Sequence, residues 1–354
     1  MNRKEFFCLV LTFTSFCGAQ SVSVSAQDTL PKVPDYDTAY IKSFRDDLVI
    51  TLVSASSSNS ISATDKQGKS LTYSTNLPSA IGIGIDYKWL TAEYTSSFGM
   101  SGEGGKGYTS STGLGFGLTG RKWWFRNFYR NTQGYFLTNP EYFDPQFDPA
   151  TGTYPLRGDV SNTVYYATLN YGFNHRRFSN IAALWQLERQ KKSAGSFTAG
   201  ISFSKALHLS DSALFPEQFE NRFEAGEAIT EFGFSMYGIN FGYLHTFAFT
   251  KSRKWFLSLL FIPGISFQQG DAKFEDTDSR ITKSAWGLHT ESRVTTGYNG
   301  DRWYVSLTGV SYLITSEFEG TNPLSQGYSF GRFAVGRRFG MKPAKSGILR
   351  KLGL

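Results

Sequence analysis

The sequence predicts an all-β fold: a transmembrane antiparallel up-and-down β-barrel of about 12 strands, with 14 the alternative. Three observations carry that prediction. The 354 residues include 32 Phe, 19 Tyr and 7 Trp beside 36 Gly, so strand formers and turn formers dominate. Stretches such as Ala80-Ile81-Gly82-Ile83-Gly84-Ile85-Asp86-Tyr87 alternate bulky apolar with small or polar residues, the period of two of a strand with one greasy face. Beyond the N-terminus no apolar run reaches 18 residues, and mean hydropathy is −0.28. Those values exclude a helical membrane protein and suit a barrel, whose strands average an apolar outside with a polar inside. A soluble β-sandwich would alternate too. It is disfavoured because aromatics gather near strand ends, as at Tyr87 and Trp89, Trp123 and Trp124, and Tyr298 and Trp303. That placement suits interfacial girdles, and the opposite faces hold Gly, Ser, Thr and Asn rather than the bulk of a dry core.

Along the chain, residues 1–26 read as a secretory signal peptide: Arg3 and Lys4 precede an apolar stretch from Phe6 to Ala19, and Val24-Ser25-Ala26 offers a small-residue cleavage site. Removing 26 of 354 residues leaves a mature chain of 328. Cys8 and Cys17, the two cysteines, lie in the leader, so disulfides, thiol catalysis and Cys-ligated metals are excluded from the mature protein. The bulky Phe16 disfavours lipidation at Cys17. Net charge, +7 for the whole chain, falls to about +6 by the same count, with no Lys/Arg block of the nucleic-acid type.

Residues 27–46 are expected to form an N-terminal periplasmic segment, 47–339 the barrel and 340–354 a basic tail. Strand candidates fall at 47–64, 79–88, 90–99, 109–119, 123–134, 161–174, 178–190, 194–207, 230–249, 254–269, 281–298, 301–315 and 327–339. Single-chain bacterial barrels have an even number of strands. One of these thirteen must therefore fail, and turn phasing places the error between 190 and 236. Segments 138–159, 210–226, 270–280 and 317–326 are loops, the first interrupted by Asn139-Pro140, Asp144-Pro145 and Asp148-Pro149.

One hairpin receives a register. Asn299-Gly300 suits a two-residue type I′ turn. Pairing Tyr298 with Asp301 sets Arg293 opposite Ser306, Glu291 opposite Thr308 and His289 opposite Val310. This polar face is predicted to line the lumen: His289, Glu291, Arg293, Ser306 and Thr308, joined by Glu188, Arg126 and Arg130. Opposed charges there either plug the interior or line a narrow path. The pairs Arg176-Arg177 and Lys191-Lys192 sit between apolar strands, where they suit lipid headgroups or a partner, or else ordinary solvated turns.

Three stretches carry a family resemblance. They begin at Ile81-Gly82-Ile83-Gly84-Ile85-Asp86-Tyr87-Lys88-Trp89-Leu90, at Gly120-Arg121-Lys122-Trp123-Trp124-Phe125, and at Phe178-Ser179-Asn180-Ile181-Ala182-Ala183-Leu184-Trp185. The last runs on through Gln190-Lys191-Lys192-Ser193-Ala194-Gly195-Ser196, the most specific piece. Together they resemble domain of unknown function 4421, an uncharacterised Gram-negative outer-membrane family, over roughly residues 36–339. The resemblance implies a fold and an outer-membrane address, with barrel-assembly machinery and membrane lipid as partners, and no activity.

His175, His208, His245 and His289 show no HxH or HxxxH spacing, so no metal site is expected, nor any cofactor. Neither His245 nor His289 has a serine at nucleophile distance in the predicted register. The expected function is a narrow channel or transport barrel for small polar solutes. A monomeric structural or binding barrel using its outer loops is the alternative, and a lipid-modifying enzyme working through His245 or His289 the third.

Overall fold

In the computed structural model, the alternating stretches become a closed cylinder of antiparallel strands. Structure is described for residues 34–64, 70–76, 79–97, 105–142, 146–148, 150, 152–212, 229–274, 280–315 and 324–341. The leader predicted at 1–26, most of the loop 210–226 and the tail beyond 341 lie outside them. Contacts group residues 36–354 into one body; of the unit 1–35, only 34 and 35 are described.

Twelve strands make the wall, in chain order: β2 (Asp47–Thr64), β4 (Ser79–Tyr87), β5 (Leu90–Ser97), β6 (Ser110–Thr119), β7 (Trp123–Leu137), β8 (Leu156–Gly172), β10 (Ala194–Leu209), β11 (Ile229–Phe249), β12 (Trp255–Phe274), β13 (Arg280–Asn299), β14 (Trp303–Thr315) and β15 (Leu324–Gly340). Each pairs with the next, and β15 closes on β2 from Leu324↔Ala63 to Gly340↔Asp47. Closure leaves no edge strand, which a bilayer requires. The start of β2 and the end of β15 share the rim that carries the short connections. A short strand, β3 (Ser70–Ser74), was not predicted; it pairs with the end of β2, Ser60–Thr64, and meets β7 at Tyr73↔Leu137 and Ser74↔Phe136. It completes the wall above β4, β5 and β6, which are too short to reach the opposite, long-loop rim. In β7 the register shifts between Gln133 and Tyr135, and Gly134 takes φ +91° there, a bulge conformation that favours glycine.

Outward faces are apolar throughout the middle of the wall. Ile239 and Phe241 of β11 and Phe261 and Ile265 of β12 stand more than half exposed, a row whose partner is lipid rather than water. Aromatic contacts ring both margins, as in Trp123–Tyr171 and Trp255–Tyr298 at the short-turn rim and Phe203–Tyr237 and Phe267–Trp286 toward the other.

The predicted strand 178–190 is the one that fails. It forms instead a short helix, α1 (Asn180–Leu184), followed by β9 (Glu188–Gln190), both folded into the barrel mouth at the short-turn rim. The parity error therefore lies before 190, not between 190 and 236. The physical reason is readable: Phe178, Ile181, Ala182, Ala183, Leu184, Trp185 and Leu187 are apolar on every side, whereas a barrel strand needs one polar face. Ser179 caps α1, its side chain accepting from the Ala182 backbone N–H at 2.8 Å. Ile181 and Leu187 pack on Val49, Val53, Tyr304 and Ala334, while Phe178, Ala183 and Leu184 pack on Trp124, Leu244, Leu260 and Ile262. The plug thus touches opposite walls. Within the N-terminal segment expected at 27–46, a three-residue strand, β1 (Ile41–Ser43), pairs with β9 from Ile41↔Gln190 to Ser43↔Glu188.

The predicted hairpin register also shifts. Tyr298 pairs with Val305 rather than Asp301, so Arg293 lies opposite Val310, Glu291 opposite Tyr312 and His289 opposite Ile314. The turn opens because its residues serve the plug. Asn299 donates to the Glu188 carbonyl at 2.9 Å and accepts from Arg338 at 2.7 Å, and Asp301 pairs with Lys42 and Arg189. A shift of four residues is even, so every side chain keeps its face.

Candidate functional site in the lumen

The interior is built in layers. At the short-turn rim, Glu188 of the plug is wholly buried; its carboxylate meets Arg121 at 2.6 Å and accepts from the Ser179 hydroxyl at 2.7 Å. Arg338 donates to the carbonyls of Gly300 and Gln186 at 2.7 and 2.6 Å, tying β15 to the plug. Outside the mouth, Asp301 meets Lys42 at 2.6 Å and Arg189 at 3.0 Å. Hydrogen bonding from Lys42, with the charge of Arg189, holds its carboxyl down at about 2.

Above the plug lies a cavity of about 160 Å³. Its charged walls come from Asp86 (β4), Glu93 (β5), Arg126 and Arg130 (β7), Arg293 (β13) and Arg332 (β15). Arg332 grips Glu93 at 2.7 and 3.1 Å, and Arg126 reaches both carboxylate oxygens of Glu291 at 2.6 and 2.7 Å. Arg293 approaches Glu291 only to 3.9 Å. Arg130 donates to the Ser57 hydroxyl at 3.0 Å and faces the rings of Tyr328 and Phe330.

Toward the long-loop rim the cavity is roofed by rings that meet across the lumen. Phe128 stacks on Tyr166 and Tyr328, with centroids 5.5 and 5.4 Å apart, and Tyr166 meets Tyr312 at 4.7 Å. These rings join walls that are far apart in sequence, and Val164, Phe234, Met236 and Val310 pack with them.

The structure places His289, Glu291, Arg293, Ser306 and Thr308 on the inner face. They do not form one cluster. Glu291 and Arg293 belong to the cavity layer, and the Thr308 hydroxyl donates to Thr295 at 3.2 Å. His289 lies in the roof layer, beside Tyr166 and Met236, held between Gly238 and Gly264, where an added Cβ would strike its ring. Neither of its ring nitrogens has a hydrogen-bond partner among the described residues. His245 faces outward with Nδ1 3.1 Å from the Tyr243 hydroxyl, and among the described residues no hydrogen bond joins it or His289 to a serine.

Arg176, Arg177, Lys191 and Lys192 gather at the short-turn rim. Lys191 Nζ donates to the Thr38 carbonyl at 2.7 Å, the Arg176 carbonyl accepts from the Asp37 N–H, and Arg177 and Lys192 stand over the Tyr40 ring. These groups hold the segment 36–44 against the plug. Sequence reasoning missed Asp86, Glu93 and Arg332 as a set. Asp86 and Glu93 do stand on the polar side of alternating strands, but only barrel closure brings β4 and β5 to face β15.

The family model for a domain of unknown function, DUF4421, matches residues 35–339. The chain belongs to this family. No curated protein matches the sequence. Among solved structures, the outer membrane protease OmpT of Escherichia coli aligns at TM-score 0.38 and 11% identity, over 84% of this chain and 98% of that one. The Pseudomonas putida toluene transporter TodX aligns at 0.29 and 10%, over 84% and 91%, and a Pseudomonas aeruginosa FadL homologue at 0.25 and 8%, over 84% and 91%. The architecture rests on the closed strand ladder of this DUF4421 chain itself.

Proposed function

We propose that this DUF4421 protein is an outer-membrane barrel stoppered in its resting state, whose interior binds rather than steadily conducts. The supporting observation is the plug: residues 178–190 fill the barrel mouth and are fastened to the wall by Glu188, Arg338 and Asn299. By the rule that short turns face the periplasm, the stopper closes the periplasmic end. The alternative is a narrow channel for small polar solutes, favoured by the polar, arginine-lined cavity above the plug.

Planar-bilayer recording of residues 27–354 in about 1 M salt, where surface fields are screened, separates the two. The stoppered barrel gives a silent membrane despite verified insertion, and replacing 178–190 with a Gly/Ser linker produces discrete current steps. Discrete steps from the parent, with ion preference altered by Arg293→Glu, establish the channel instead.

A further inference from the structure

The cavity above the plug has a charge imbalance that points to a ligand. Four guanidiniums, Arg126, Arg130, Arg293 and Arg332, face or border it against three carboxylates, Asp86, Glu93 and Glu291. Two of the four are committed: Arg332 to Glu93 and Arg126 to Glu291. Arg130 and Arg293 are not matched in this way. Arg130 is only 9% exposed, the groups it meets are the neutral Ser57 hydroxyl and the neutral side chains of Tyr328 and Phe330, and its Nε has no hydrogen-bond partner among the described residues. Arg293 comes no closer to Glu291 than 3.9 Å, its other polar neighbour is the neutral Tyr312 side chain, and its Nε likewise has no hydrogen-bond partner among the described residues. A buried cation lacking a matched anion is costly, and the cost is relieved by an anion that accepts from the guanidinium fork.

The rest of the cavity limits what that anion can be. Phe128, Tyr312, Tyr328 and Phe330 present ring surface to the same space, so part of the occupant is apolar. The volume, about 160 Å³, is close to that of an engineered cavity of roughly 150 Å³ that accepts benzene. Gly113, on the wall beside Arg130, keeps this space open; an added Cβ would lie 3.4 Å from the Arg130 guanidinium and closer still to Thr95.

We propose that this cavity is a binding site for a small organic carboxylate with a ring-sized apolar body, its carboxylate held by Arg130 and Arg293 and its body against the aromatic walls. The site rests on the reading of the interior as a binding chamber.

Isothermal titration of the detergent-solubilised protein with benzoate tests it, with the neutral isostere benzamide as control. Benzoate binds, and benzamide binds at least tenfold more weakly. Arg130→Met weakens benzoate at least tenfold, while Arg130→Lys, which keeps the charge and loses the planar fork, is intermediate. Heat-modifiable gel migration verifies that each variant is folded, and the benzoate–benzamide comparison on the parent requires no variant. Equal binding of the two probes, absence of benzoate heat from folded parent, or unchanged affinity in folded Arg130→Met overturns the site. The two readings fail separately. A parent that conducts yet binds benzoate through Arg130 loses the stoppered state and keeps the site; a silent parent with no benzoate binding loses the site and keeps the stopper.

Discussion

Asp301 shows how one residue can serve an element far from it in sequence. It lies in the β13–β14 turn, yet it anchors Lys42 of β1 and Arg189 of β9, with Lys254 at 3.7 Å. Its carboxyl is held down at about 2 by the Lys42 hydrogen bond first and by the Arg189 charge, against about 3.9 in an unfolded chain. A depressed folded value means the stabilisation is fully present above about pH 4 and is lost as pH falls through about 2. Urea midpoints measured from pH 6 to pH 2 are therefore expected to show Asp301→Asn below the parent at pH 6, with the gap closing between about pH 4 and pH 2. A gap constant with pH would remove the clamp from the explanation. At the same scale, Gly238 and Gly264 make room for the His289 ring, so the small residues of two strands and the histidine of a third form one packing unit.

The plug is the element that sets the state of the lumen. Its helix is too short to be stable alone, and its order comes from burial between opposite walls and from polar ties at its C-terminal end. Glu188→Ala leaves Arg121 and Ser179 without their shared partner. Breaking a buried pair costs on the order of 3–5 kcal/mol; because Arg121 keeps a path to solvent, about 3 kcal/mol is expected, read from urea unfolding in detergent. The Arg121→Ala, Glu188→Ala double variant is expected to cost less than the sum of the single changes, since the two groups meet directly. The plug was hidden in the sequence because 13 residues between barrel strands, largely apolar from Ile181 to Leu187, have the length of another crossing. Its lack of a polar face was the available signal. The Asn299-Gly300 turn misled for a related reason: local turn chemistry favoured two residues, and contacts to the plug opened the turn.

At the scale of the whole molecule, inside and outside are decided by a single alternation carried around twelve strands. Ile239, at the middle of β11, faces outward, and its neighbours Gly238 and Asn240 face in. Ile239→Arg is expected to lower stability in lipid vesicles by about 2–4 kcal/mol, the cost of a cation near the bilayer midplane. Asn240→Ser, on the inner face, is expected to change it by less than about 1 kcal/mol, the order of one hydrogen bond. A reversed ranking in reversible unfolding would mean that the wall is not lipid-facing. The barrel is also closed internally by rings from β7, β8, β14 and β15, whose contacts exist only because the sheet returns on itself.

The strand alternation, the aromatic margins and the even count were legible in the sequence, because a strand's period of two writes its environment directly into the order of residues. So was the inward face of His289, Glu291 and Arg293, which survived a four-residue register error because an even slip preserves sides. What fills the cylinder was not legible. Arg332 meets Glu93 across 239 positions and Arg126 meets Glu291 across 165. Such partners are chosen by barrel closure and strand stagger, which no local pattern encodes. The plug, the cavity and the unmatched Arg130 belong to the tertiary structure alone, since each depends on which walls face one another across the lumen.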